Sequence, residues 1–288
     1  MNQSANIHFI LGIMLFLIYG SLFLIERFRP LRRPVRSLLS RIVVNISITA
    51  LVFISASIFI SPLAKSIIHL TSIHGFGLLS LLPFNPFLLF VTGFLLMDLT
   101  FYYWHRLNHE LPLLWRFHNV HHIDPDLDVT TSMRFHVVEI AYSSLFRLVQ
   151  LSVIGLDPIT FLCYEFVFQA STFFQHSNIK LPIRIERWLN KVIVTPRMHG
   201  IHHSNYRDET NSNYSVVFSF WDKLHRTIQL NVPQQSVTIG VPGYEQVQDN
   251  NFKNLMLMPF KRQRPYWQTN QLARTVPAES KDSGFLSV

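Results

Sequence analysis

FNPFLLFVTGFLLMDLTFYYWHRLNHELPLLWRFHNVHH, residues 84–122, is the stretch on which the fold turns. Its first twenty residues, 84–103, are almost wholly apolar, with Asp98 the one charge among them. A helix rises about 1.5 Å per residue, so this block is long enough to cross the roughly 30 Å hydrocarbon core of a bilayer. Directly after it come His105-x3-His109 and His118-x2-His121-His122. Residues three or four apart share a helix face, so each box can aim two or three imidazoles at one point. The stretch therefore predicts a membrane-crossing helix that delivers a histidine site to one edge of the bilayer.

The same spacing recurs downstream as His199-x2-His202-His203, with His136 and His176 isolated between the boxes. A single HxxxH is unremarkable in a protein. Two HxxHH boxes in one chain arise by chance on the order of once in ten thousand at ordinary histidine usage. Neutral imidazole is a good ligand for iron, zinc, copper and nickel. Ten such residues exceed what one tetrahedral ion can use, which predicts two transition metals. Asp98, two turns before His105, and Glu139 are carboxylates that can orient an imidazole through its second nitrogen; the alternative for each is a helix–helix hydrogen bond inside the membrane. Asp222 reads as a cap or tether of the final segment and His225 as structural, while His8, His69 and His74 fall on the opposite side of the membrane. No catalytic side chain is expected beyond the metal ligands.

Composition agrees with a membrane protein. Of 288 residues 49% are hydrophobic, gathered in long blocks, and the 25 basic residues that give a formal charge of +8 flank those blocks. That distribution excludes nucleic acid as the partner of the positive charge. The lone Cys163 excludes an intrachain disulfide and any cysteine-built zinc or iron–sulfur site, and reads as a helix-packing residue. Residues 8–25 follow an uncharged MNQSAN leader and read as an uncleaved anchor. The basic run 26–36, with Arg41, marks the cytoplasmic side. Residues 42–64 form a second span, 65–83 an outside loop with an interfacial piece, and 84–103 the return. Residues 137–154 and 159–174, joined by a Gly155-Leu156-Asp157-Pro158 turn, form a hairpin, and residues 181–194 a helix lying in the interface. All the boxes then fall on the cytoplasmic side. The fold expected is an all-α, polytopic membrane bundle capped there by a histidine-rich helical layer.

Asp98 to His122, Thr195 to His203 (TPRMHGIHH) and Asn213 to Thr227 (NYSVVFSFWDKLHRT) together resemble the fatty acid hydroxylase or sterol desaturase superfamily, especially its bacterial branch. The resemblance covers residues 84–260 and implies a membrane-bound di-iron oxidase, with zinc possible as purified. It implies metal ligation by His105, His109, His118, His121, His122, His199, His202 and His203, with His176 between the boxes; His136 is carried as a further candidate ligand. It implies a lipid substrate to be hydroxylated or desaturated, O2 as co-substrate, a separate cytoplasmic electron donor, and residence in a bacterial inner membrane. The domain plan is then 1–83 anchoring helices, 84–260 catalytic domain with its hairpin, and 261–288 a polar, disordered tail. Where many relatives carry Phe-Gly-Thr after the Trp-Asp pair, this chain has His225-Arg226-Thr227. Two rivals stand beside this reading: a zinc-dependent membrane hydrolase, needing an acid/base carboxylate such as Glu110 or Glu139, and a divalent-metal transporter, needing ligands near mid-membrane.

Overall fold

A segment inside hydrocarbon must satisfy its own backbone polar groups, which leaves the helix as the solution for long apolar blocks. The computed structural model describes residues 3–267, and among them helices are joined by loops, with three isolated bridges and no strand. The helices are α1 (Gln3–Phe28), α2 (Leu38–Ser55), α3 (Ser61–His74), α4 (Pro86–Glu110), α5 (Pro112–His122), α6 (Val137–Ile154), α7 (Pro158–His176), α8 (Ile183–Leu189), α9 (Pro196–His202), α10 (Arg207–Thr210), α11 (Phe220–His225) and α12 (Phe252–Leu257). Four helical stretches are long and apolar enough to cross a membrane: Asn6–Phe28, Leu38–Ile58, Pro86–Glu110 and Val137–Ile154. Large apolar side chains such as Phe9, Phe16 and Phe53 stand outward on them, as lipid-facing residues do. The chain is an all-helical integral membrane protein.

The hairpin turn forms where the sequence places it. Gly155 closes α6 in the left-handed conformation, and Asp157 caps α7 by accepting from the backbone N–H of Ile159 and Thr160. A Cβ at Gly155 would strike the carbonyl of Phe76, so glycine is required both for the turn and for the close approach of the segment after α3. α7 is not among the four apolar candidates, because it spends Glu165, Gln169, Thr172 and Gln175 on an internal cavity. Two loop expectations are revised. α3 carries the chain helically through His74, from a π-helical turn at Ala56–Ile60, where a loop was expected from residue 65. The expected interfacial helix over 181–194 shortens to α8, since Glu186 turns inward, fully buried, to bind the Arg197 side chain at 2.6 Å.

Not all of the positive charges between the end of α1 and the first turn of α2 are free in solvent. Arg41, 6% exposed, donates from Nε and Nη2 to Asp124 at 3.0 and 2.9 Å and from Nη1 to Asp128 at 2.5 Å. Arg27 reaches Asp128 at 3.1 Å, and the Asp126 carboxylate accepts the backbone N–H of Val35 and Arg36. Glu26, at the end of α1, accepts the backbone N–H of Val129 and Asn178. The anchoring helices are thus bolted to the loop that follows the second histidine box. Residues 268–288 of the expected tail lie outside the described residues; before them, Tyr266 and Trp267 lie against Trp115 beside the core formed by Ile48, Val120 and Leu255.

Candidate metal centre

Two prolines shape the site. Pro112 forces Leu111 out of the helical region (φ −90°, ψ 115°), which ends α4 at Glu110 and restarts the chain as α5 with proline in its first turn. The break turns the HxxHH face of α5 toward the HxxxH face of α4. Pro196 opens α9 in the same way, and α9 carries the third box. Its Gly200 leaves room for the guanidinium of Arg32, which lies across the helix, bonds to Gln234 at 2.5 Å and would have to shift for any Cβ there.

The nine histidines form two buried groups. His105, His109, His118, His122 and His202 bring one ring nitrogen each to within 4.8 Å of one another, and so do His121, His176, His199 and His203. The rings of His122 and His203 stack at 4.2 Å where the groups meet. His136, expected among the ligands, joins neither group. It is the N-cap of α6, its Nδ1 accepting from the backbone N–H of Val138, and its Nε2 lies 3.2 Å from the carbonyl of Met256. Both of its nitrogens are occupied by main chain.

The tautomers can be read from the outer nitrogens. A carbonyl only accepts, so Nδ1 must be protonated where it meets one: His105 to Tyr214 O at 2.7 Å, His176 to Thr172 O at 2.7 Å, His202 to Ser212 O at 2.7 Å and His121 to Arg134 O at 3.3 Å. His118 Nδ1 meets the Glu139 carboxylate at 2.6 Å. Each of these rings then presents a bare Nε2 inward. His121 and His176 face one another Nε2 to Nε2 at 3.0 Å, lone pair against lone pair, and the inner nitrogens of His109, His118, His122 and His202 have no hydrogen-bond partner. Such an arrangement is repulsive without a cation between the nitrogens, so the donor set fits a metal in each group. Burial, with the neighbouring imidazoles adding to it, holds His121, His122, His199 and His203 well below the ordinary histidine range and His202 down to about 3. The rings are therefore neutral at physiological pH, the state in which imidazole ligates.

The two carboxylates take different parts, each one of the two readings left open by the sequence. Glu139 touches a histidine, as above. Asp98 does not: its Oδ2 accepts Trp221 Nε1 at 2.8 Å and Phe218 N at 3.1 Å, fastening α4 to the loop before α11. His105 is oriented instead by the Tyr214 carbonyl, and that segment is held by Asp222, which accepts the N–H of Tyr214 and Ser215 at 2.9 Å and the Thr227 hydroxyl at 2.7 Å. His225 lies outside both groups, 2.6 Å from the Tyr103 hydroxyl. The sequence reading missed Asp124, Asp126 and Asp128. Three acids at every second position, directly after a histidine box in a strongly basic chain, were the available signal.

A cavity of about 440 Å³ opens from the histidines between α2, α4, α6 and α7. His105, His118, His121, His176 and His199 form one end of its wall, and Val52, Phe53, Phe101, Trp104 and Phe168 supply apolar sides.

Fold and site define a membrane helical bundle with paired, buried polyhistidine groups beside an apolar cavity. The fatty acid hydroxylase family model matches residues 90–227, the segment that holds all nine grouped histidines, and over that segment the chain is similar to this family. Over 154 residues, 53% of the chain and 45% of the relative, it is 32% identical to an ornithine lipid hydroxylase of Rhizobium tropici. It is 29% identical over 47% of the chain and 49% of the relative to human cholesterol 25-hydroxylase, and 27% identical over 51% and 32% to human alkylglycerol monooxygenase. The chain thus matches a third to a half of the length of these relatives. No solved structure matches it.

Proposed function

We propose that this protein is a membrane-bound di-iron oxidase that hydroxylates a lipid with O2, using electrons from a separate cytoplasmic donor. The observation that carries the reading is the pair of converging imidazole groups at the end of an apolar cavity. One ion would be held by His105, His109, His118, His122 and His202, the other by His121, His176, His199 and His203. When bound, iron supplies the activation of O2 that no amino-acid side chain provides. The chain's own residues do the rest. Glu139 and the carbonyls of Tyr214, Thr172 and Ser212 fix ring direction and tautomer, and the apolar wall holds a lipid against the histidines while limiting access of water. Hydroxylation is favoured over desaturation because the three relatives are named as hydroxylases or a monooxygenase. The basic segment 26–36 supports a site on the cytoplasmic side of the membrane.

The zinc hydrolase is the weaker reading. Glu110 forms an exposed pair with Arg106 at 2.7 Å, and Glu139 is engaged with His118, so neither is a free acid/base at the cavity. Metal analysis of protein purified in mild detergent should find about two equivalents, iron predominating. Lipid extracts of expressing cells grown under labelled dioxygen should contain a product that carries the label. One equivalent or less in active protein, or product oxygen drawn from water, would overturn the proposal.

A further inference from the structure

Arg147 and Glu165 form a charge pair on the wall of the cavity, Nε to Oε1 at 3.3 Å, one from α6 and one from α7. Arg147 is ten residues into an apolar, membrane-length helix of eighteen, so it sits near mid-membrane. An ionised group at that depth is costly and is kept where it faces a polar cavity or a ligand. The guanidinium is held flat among Phe101, Tyr164 and Phe168 at 5.1 to 5.3 Å and donates to Gln150 Oε1 at 3.0 Å. The carboxylate is less well served: Glu165 Oε1 is buried yet accepts no hydrogen bond of acceptable geometry.

The pair stands at a fixed distance from the histidines. Glu139, which touches His118, precedes Arg147 by eight residues on α6, about 12 Å of helix; Glu165 precedes His176 by eleven on α7, about 16 Å. Between the two ends the cavity wall carries Ser143, Gln169 and Thr172 opposite the aromatic side.

We propose that Arg147 and Glu165 are specificity-determining residues that select a lipid bearing a neutral hydroxyl about 12 to 16 Å from the carbon that is oxidised. This rests on the cavity being the substrate site of an oxidase. A hydroxyl can accept from the guanidinium and donate to the carboxylate, whose Oε1 is ion-paired with Arg147 but accepts no hydrogen bond, at once. A carboxylate would be repelled by Glu165, and an ammonium by Arg147, while an alkane would leave the carboxylate oxygen without a hydrogen bond. The substrate therefore enters with its polar end at mid-membrane and its reacting end toward the histidines.

The test is competition binding to the purified full chain in detergent, with tritiated 1-hexadecanol as probe and unlabelled 1-hexadecanol, palmitate and hexadecane as competitors. Wild type should prefer the alcohol to either other competitor by about tenfold or more. Glu165→Gln leaves the arginine uncompensated, so palmitate should bind that variant about tenfold better than it binds wild type, which loss of packing alone would not produce. Arg147→Met should lose the alcohol preference. Equal competition by all three in wild type, or no gain of palmitate binding in Glu165→Gln, would overturn the inference. Metal content is measured on the same preparations: full metal with no alcohol preference overturns this inference alone, whereas absent metal overturns the oxidase reading whatever the lipid preference.

Discussion

Replacing Arg41 with methionine should cost most of the protein's stability without touching a histidine. The side chain donates to both oxygens of Asp124, to Asp128, to the Asp126 carbonyl and to the Thr131 hydroxyl, all buried. Asp128 shows what the arginine supplies. Burial alone would raise its pKa, yet Arg41, by charge and hydrogen bond, brings it from 3.8 down to about 2. That shift, to which the Thr130 hydroxyl and Arg27 also contribute, corresponds to about 2 to 3 kcal/mol. Asp124 is held below its ordinary value in the same way. Removing one partner of a buried ion pair costs about 3 to 5 kcal/mol where the other charge is stranded; here two carboxylates lose their main partner, Asp128 keeping Arg27 at 3.1 Å and Asp124 keeping Arg134 at 3.6 Å, against a total stability of about 5 to 15 kcal/mol. Thermal unfolding in detergent, followed by helical circular dichroism with metal content measured in parallel, should show Arg41→Met with a sharply lowered midpoint and substoichiometric metal. Arg41→Lys, which keeps the charge but loses the fork, should fall between. Asp128 has a folded pKa below its unfolded one, so its contribution is complete above about pH 4 and is lost as pH falls toward 2; the gap between wild type and Arg41→Met should close over that range. An Arg41→Met protein with wild-type midpoint and full metal would refute the reasoning.

Glu139→Gln keeps the side chain's shape but removes the charge that faces His118 Nδ1, and should weaken the metal in the His105 group about 10- to 100-fold in chelator competition while sparing the other; equal weakening of both would refute it. His202→Ala should abolish lipid oxidation and lower bound metal, whereas His136→Gln and His225→Ala should keep both metals, as read by elemental analysis of folded protein. Metal-stripped protein should lose stability as pH falls from about 6.5 toward about 3. The histidine pKa values are depressed in the fold, so unfolding takes up protons and stability is complete only above the unfolded value, at about 1.4 kcal/mol per pH unit for each such ring. A flat profile across that range would contradict the burial of the site.

What could be read from the chain alone followed from periodicity. The boxes at i, i+3, i+4 needed only helix geometry, and eight of the histidines in them, with His176 at the end of α7, reach the two groups. What could not be read depended on where a chain element returns in space. His136 lies in Arg134-Phe135-His136, between the boxes and less well placed than His176, and the loop before α6 aims it away, at Met256, more than a hundred residues downstream. Asp98 shares a helix face with His105, yet Trp221 and Phe218 arrive first. The orienting role fell to main-chain carbonyls at Tyr214, Ser212 and Thr172, which every residue possesses and no sequence pattern advertises. Charge was read only in part: the run from Glu26 to Arg41 has the composition of a membrane flank, and tertiary structure adds that Arg41 is buried against Asp124 and Asp128.

That double character of Arg41 has an order in time. The chain is made from its N-terminus, and Asp124 lies 83 residues beyond Arg41. At about 5 to 20 residues per second, several seconds pass in which the arginine has been synthesised and its partners have not. During that interval it is a free cation at the end of a newly inserted helix, available to set which way the helix faces. Once the second histidine box and the three acids emerge, the same cation is withdrawn from water and becomes the bolt between anchor and site. On the proposed topology one residue would act first as an orientation signal and afterwards as a structural part, and a mutation there would be expected to fail twice, at separable stages of the protein's life.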